Sequence, residues 1–243
     1  MAQLNELLLT LPDVIKKRAP NFKIKYKDES VLMKVLNVLT PWDKHFMHRT
    51  TTFLSSVHLP KRSTVQARKT SYGITLAHEY VHVLDGKKHP VKFVLGYLSP
   101  QIWSIFSLLS FFAFYHWAFL FFLLFLICLA PWNSPWRVKW EERGFLMSIM
   151  LEHMRDRGFL TGTRDSLVKS FSGWSYYCMT SKQEAQKIAS RIMNNARDKI
   201  IPSDNPAYQD VLDLLKKPSI FRDGQDTLDL MCRLSEPPES YDN

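Results

Sequence analysis

A glutamate set between two histidines, in the order His78, Glu79, Tyr80, Val81, His82, is the part of the chain whose residue types and spacing could do chemistry. On a helix, positions i and i+4 lie one above the other, so the two imidazoles can grip one metal ion. Glu79 is rotated about 100° from His78 around the helix axis. From there it can reach a water in the metal's open position and take its proton. The pattern H-E-x-x-H therefore points to zinc as cofactor and to hydrolysis with Glu79 as general base. The helix is expected to open at the capping-box pair Ser63 and Gln66 and to close at Gly86. Val65, Ile74, Leu76, Ala77, Val81 and Leu84 give it an apolar stripe.

A catalytic zinc takes three protein ligands and keeps one position open. The third is sought in the helix expected to start at Ser134 and Pro135, a good N-cap followed by a good first helical residue. Glu141 is preferred, because Arg137, Phe145 and Ser148 share its face and that face can partly enter a core. Glu142, on the face of Val138, Leu146 and Ile149, is the alternative. Asp85 lies seven residues beyond His78 on the same face, about 10 Å along the axis, which suits a hydrogen bond to a histidine N–H better than direct ligation. Tyr176 and Tyr177 are candidate donors to a developing oxyanion, with core packing as the plain reading. His153 reads as structural.

The surrounding elements follow from periodicity. Residues 2–18 carry Leu4, Leu7, Leu8, Leu11 and Ile15 at helical spacing. Phe22, Ile24 and Tyr26 alternate with Lys23, Lys25 and Lys27, as on a half-exposed edge strand. Residues 30–40 read as a short helix ended by Pro41. Residues 49–60 are rich in β-branched and aromatic side chains and read as a strand or bent hairpin, whose edge could carry an extended substrate peptide. Residues 89–101 read as a short strand or turn. Further helices are expected over residues 164–178, from the capping box of Ser181 and Glu184 toward Ile200, and over 205–215.

Residues 102–130 are 29 consecutive positions without Asp, Glu, Lys or Arg. As one straight α-helix the run would reach about 43 Å, more than the roughly 30 Å of bilayer hydrocarbon. A single crossing would leave the histidines and Glu141 on opposite sides of a membrane, unable to share a metal. The run is therefore expected to turn back near residues 110–116, as a hairpin of two apolar helices of about 14 residues and about 21 Å each. Such a hairpin dips into one leaflet or is capped by protein. Trp103, Trp117, Trp132 and Trp136 flank or punctuate it as interfacial aromatics would, and His116 is placed at its tip.

The H-E-x-x-H pattern followed by a helical glutamate resembles the gluzincin zinc metallopeptidases. The interposed apolar segment is similar in layout to the CAAX prenyl protease and the bacterial heat-shock membrane metalloproteases, in which two membrane helices separate the histidine helix from the glutamate helix. The resemblance covers residues 63–157. In that family an aspartate follows the ligand glutamate by four residues, where this chain has Phe145. The layout is also similar to metallopeptidases encoded by tailed bacteriophages. The resemblance implies a mostly helical α+β fold, with a zincin-like metallopeptidase core, a small N-terminal sheet and the apolar hairpin between the histidine and glutamate helices. It implies a peptide or protein substrate.

Size and charge bound the rest. The chain has 243 residues, a net charge of +9 and a mean hydropathy of −0.18. One catalytic domain is expected over residues 1–160, a helical subdomain over 161–234 and a polar tail over 235–243. The scattered basic residues suit an anionic neighbour. Nucleic-acid binding has no helix-turn-helix, RNP or zinc-finger pattern behind it. Cys128, Cys178 and Cys232 are not spaced as a disulfide framework, and no signal peptide is expected at residues 1–12. A cytoplasmic or peripheral membrane location follows, possibilities that include a virion component. The competing reading is a membrane-associated or virion structural protein that binds metal without catalysis.

Overall fold

A computed structural model describes residues 2–39, 46–53, 55–130, 132–156, 160–174 and 178–216. Its order begins α1 (Ala2–Arg18), β1 (Lys23–Tyr26), α2 (Val31–Leu39), β2 (Thr51–Phe53), β3 (Ser56–Leu59), α3 (Arg62–Ala67), α4 (Lys69–Lys88) and α5 (Pro90–Leu98). Two apolar arms follow, Gln101–Phe114 and Trp117–Leu129, then α6 (Pro135–Arg155), α7 (Leu160–Ser172), α8 (Lys182–Arg197) and α9 (Ala207–Lys216). The protein is mostly helical, with one small sheet. The tail 235–243 lies outside the described residues.

The sheet forms where alternation predicts it. Ile24 and Tyr26 turn half inward on β1 while its lysines face solvent, and Ile24 pairs in register with Val57 of β3. β1 runs parallel to β3 and β2 antiparallel to it, in the order β1-β3-β2. The strand nearest the histidine helix in sequence, β3, is thus the central one, and the free edges belong to β1 and β2.

α4 is the axis of the core. Ile74, Leu76, Ala77, Tyr80, Val81, Val83 and Leu84 are all buried. They pack against α1, α6, α5 and α9, with Leu7, Leu11 and Ile15 of α1 in the same cluster. The helix is buried on most sides, its polar residues Glu79, His82 and Asp85 included.

Three expectations are corrected here. The segment with Ser63 and Gln66 does not open the histidine helix. It forms the separate helix α3, because Arg68 leaves helical dihedrals (φ −132, ψ 45), and α3 has no side-chain cap. Gly86 does not end α4, which runs on to Lys88. The stop comes from Pro90, which disfavours the α conformation of the residue before it, and His89 duly sits at φ −136, ψ 63. Finally, residues 90–98 are a helix, not a strand or turn, with Pro90 at its first turn. The β-branched and aromatic content of that segment yields to tertiary context: Gly96 is buried against Trp136 and Trp140, and Phe93 and Tyr97 face His82.

The run 102–130 does turn back, at Tyr115 and His116. The arms pack on each other through pairs such as Phe106 with Phe125 (5.4 Å) and Phe112 with Phe119 (5.8 Å). Neither arm has a buried residue. Both wind as 3-10 helices, of 14 and 13 residues. At about 2.0 Å per residue they reach about 28 and 26 Å, longer than the α-helical expectation. Nothing in their sequence explains the tighter winding. Among the described residues no single helix is long and apolar enough to cross a membrane.

Candidate metal centre

His78 and His82 stand one turn apart on α4, and α6 crosses α4 at that level. The crossing depends on Gly144. A Cβ there would lie 2.5 Å from His78 Nε2, so a glycine lets the helices close without displacing the imidazole. Glu141, one turn earlier on α6, is thereby carried under the pair.

The three donor atoms converge. Nε2 of His78 and Nε2 of His82 are 3.0 Å apart. Glu141 Oε2 lies 3.4 Å from the first and 3.8 Å from the second. A tetrahedral ion with ligand bonds of about 2.0–2.1 Å separates its ligand atoms by about 3.3 Å. The group His78, His82 and Glu141 can therefore hold a metal ion. Glu142 points away, into a two-pronged ion pair with Arg191 at 2.6 and 2.7 Å.

The surroundings hold each donor in place. Tyr97 Oη donates to Glu141 Oε1, the oxygen turned away from the imidazoles. Tyr97 is itself gripped from α6: Arg137 Nε donates to its carbonyl at 2.7 Å, and the guanidinium lies 5.6 Å from its ring. Ser148 Oγ is 3.2 Å from His78 Nδ1, and the Phe145 ring stands edge-on to His78 at 5.1 Å. The face Arg137, Glu141, Phe145, Ser148 is thus the one presented to the histidines. Glu79 is buried and accepts a hydrogen bond from Thr52 Oγ1 of β2 at 2.6 Å. Its charge adds to the upward shifts of both His82 and Tyr97.

Electrostatics shift Glu141 and His82 in opposite directions. Burial alone would push the Glu141 carboxyl up, but hydrogen bonds and charge from His78 and His82 outweigh it and hold the group well below the usual carboxylate range. Burial would likewise lower His82. The hydrogen bond and charge of Glu141, with the charges of Glu79 and Asp85, raise it instead. Burial raises the Tyr97 hydroxyl well above its ordinary value, and the neighbouring Glu141 charge adds to this. Tyr97 therefore stays a proton donor.

Asp85 does not reach a histidine N–H as expected. One oxygen is taken by Arg143 Nη2 at 3.0 Å and Asn205 Nδ2 at 2.9 Å, the guanidinium making a charge-assisted bond. Its second oxygen and His82 Nδ1 are both buried with no partner among the described residues. His116 lies exposed at the hairpin turn, where its Nδ1 accepts from Ala118 N. His153 stands outside the cluster. Tyr176 and Tyr177 lie outside the described residues.

Sequence reasoning misses Tyr97, Thr52 and Gly144. Tyr97 is hidden by the reading of its segment as strand or turn, and Thr52 by the absence of any motif. The Gly144 requirement exists only once two helices touch. Comparison with known protein families, with curated proteins and with solved structures finds no match to this chain.

Proposed function

We propose that this chain is a zinc metallopeptidase with a zincin-like core, hydrolysing peptide bonds in a polypeptide substrate. The observation that carries the reading is the spacing of three donors, two of them buried, at 3.0, 3.4 and 3.8 Å on two helices that close on each other at a glycine. Two imidazoles and a carboxylate are the donor set of catalytic zinc. Zinc, when bound, polarises a scissile carbonyl and lowers the pKa of its water toward about 7. Glu79 takes that water's proton and passes it to the leaving amine, while Thr52 orients the carboxylate. Tyr97 occupies one oxygen of Glu141, which leaves a single oxygen turned to the metal position.

Metal content of the purified protein tests the reading. Wild type should carry about one zinc per chain, and His78→Ala and Glu141→Ala should carry none. Glu79→Gln should keep the zinc and lose hydrolysis of a peptide library, by about 10²-fold or more. Normal turnover by that variant would remove Glu79 from the chemistry.

We also propose that the hairpin 102–130 contacts lipid. The first arm gathers Gln101, Ser104, Ser107 and Ser110 on one 3-10 face and turns hydrocarbon outward elsewhere: Ile105, Phe106, Leu108, Phe111 and Phe112 are all exposed. The arms' reach of about 26–28 Å at the 3-10 rise approaches the roughly 30 Å of bilayer hydrocarbon. The exposed Trp132 and Trp136 sit at the root, where an interface would lie. The positive net charge suits anionic headgroups. A protein that binds vesicles and zinc but cleaves no peptide would instead be a membrane-associated metal protein without catalysis.

A further inference from the structure

One turn beyond His82, α4 borders a cavity that the metal centre does not use. It has a volume of about 280 Å³. Val83, Pro90, Phe93 and Val94 wall it on one side, and Ala19 and Pro20 on the other. Phe93 is shared with the metal site, since its ring lies 6.0 Å from that of His82 and stacks on Tyr97 at 5.5 Å. Gly86 lies against the Phe93 ring, which a Cβ there would meet at an ordinary contact distance of 3.4 Å. The ammonium of Lys87, one of the few polar groups nearby, is turned to the Arg18 carbonyl. Water in such a space has few partners and is readily displaced by hydrocarbon.

Two independent rulers place the cavity relative to the chemistry. From Glu79 to Gly86 is seven residues of α4, about 10 Å at 1.5 Å per residue. From Thr52, which holds Glu79, to Ser55, which lines the cavity, is three residues, at most about 10 Å at 3.3 Å per residue. The segment from Thr52 to Ser55 and the second half of α4 thus share both ends of the interval, Thr52 meeting Glu79 and Ser55 lining the cavity with Gly86. β2 is an edge strand, so a peptide can pair along it in extended form.

We propose that this cavity is a subsite for a bulky apolar substrate side chain about three residues from the scissile bond. The inference rests on the metallopeptidase reading and names its substrate class: extended peptides with Leu, Met, Phe or a similar residue at that remove. A side chain of this size displaces poorly held water and gains apolar burial, which gives selection of about tenfold or more over glycine at the same position.

The test is cleavage of a peptide library by the zinc-loaded full chain, read as the ratio of bulky apolar residues to glycine at each position. Wild type is expected to show that selection at the third residue on one side of the cut. Val94→Phe and Ala19→Leu fill the cavity from opposite walls, so the test survives if one of them fails to fold. Either should bring the ratio close to one. Wild-type cleavage without third-position selection, or selection that both filled variants retain, overturns the subsite and leaves the peptidase reading standing. A zinc-loaded wild type that cleaves no peptide overturns both.

Discussion

The seam between α4 and α6 and the hairpin that interrupts the chain between them sort their side chains in opposite ways. The seam buries His82, Asp85, Arg137 and Glu141 to below a tenth of their surface. The hairpin leaves Phe114, Tyr115 and Leu124 at 94%, 85% and 69% exposure. Side-chain polarity predicts the reverse of both. What decides is whether each group finds its complement. The seam's charges meet opposite charges and hydrogen-bond donors, so their desolvation is offset. The hairpin's arms cover each other only in part, and their outward hydrocarbon is left uncovered by the described residues, which on the proposed reading is where lipid sits. The seam answers most of its own polar groups, Asp85 Oδ2 and His82 Nδ1 excepted, whereas the hairpin leaves most of its apolar surface uncovered among the described residues.

That contrast can be broken most drastically by exchanging one region at a time. Replacing residues 102–130 with a short Gly/Ser linker should abolish binding to anionic vesicles in a flotation assay and leave zinc stoichiometry unchanged. Glu141→Ala should do the opposite. If the linker variant also loses zinc, the seam depends on the hairpin after all. A finer probe is Tyr97→Phe, which removes the donor to Glu141 Oε1 while keeping the ring against His82. Outer hydrogen-bond partners of metal ligands are worth about 10–100-fold in affinity, and a competition titration with a zinc chelator should show a loss in that range. An unchanged affinity would mean that the hydroxyl plays no part in holding Glu141.

The smallest effect concerns stability, which on this view resides in the seam and the helices around it. Tyr80 Oη, buried on α4, donates to Asp210 Oδ2 at 2.6 Å, and Arg18 bridges the same carboxylate. Burial would raise Asp210, but Arg18 and Tyr80 together hold it below its ordinary value. A carboxyl with a depressed folded pKa stabilises above its unfolded pKa, and that contribution fades as pH falls through the folded value. Asp210→Asn should cost about 1–3 kcal/mol at neutral pH in urea unfolding, with Arg18 adding little because it is half exposed. The gap between variant and wild type should close below about pH 4. A gap that persists unchanged into acid would show that the hydrogen bond, not the charge, is responsible.

The legible parts were those encoded along one helix. The spacing of His78 and His82 fixes a shared face, and the spacing of Arg137, Glu141, Phe145 and Ser148 fixes another. The structure brings these two faces together. The requirement that they meet also forced the hairpin, whose turn falls where the sequence placed it. Illegible were features created by contact between distant elements. Arg68 breaks α3 from α4 without a proline or glycine to announce it. Residues 90–98 carry strand-like side chains but form a helix packed on Trp136, Trp140 and His82. Asp85 has a good position for a histidine but pairs with Arg143, which comes from α6 and has no sequence signature.

The root of the hairpin has a consequence of its own. Ser134 Oγ donates to the Ser99 carbonyl at 2.8 Å, and Gln101 reaches across to Ala130. The polypeptide thus leaves and rejoins the body at one point, and α6 starts from the same place whatever lies between. Closing an excursion costs only slowly more as it lengthens. This junction is therefore a natural splice site: a longer anchor, a foreign targeting sequence or a fluorescent passenger should fit there without shifting the register of Glu141.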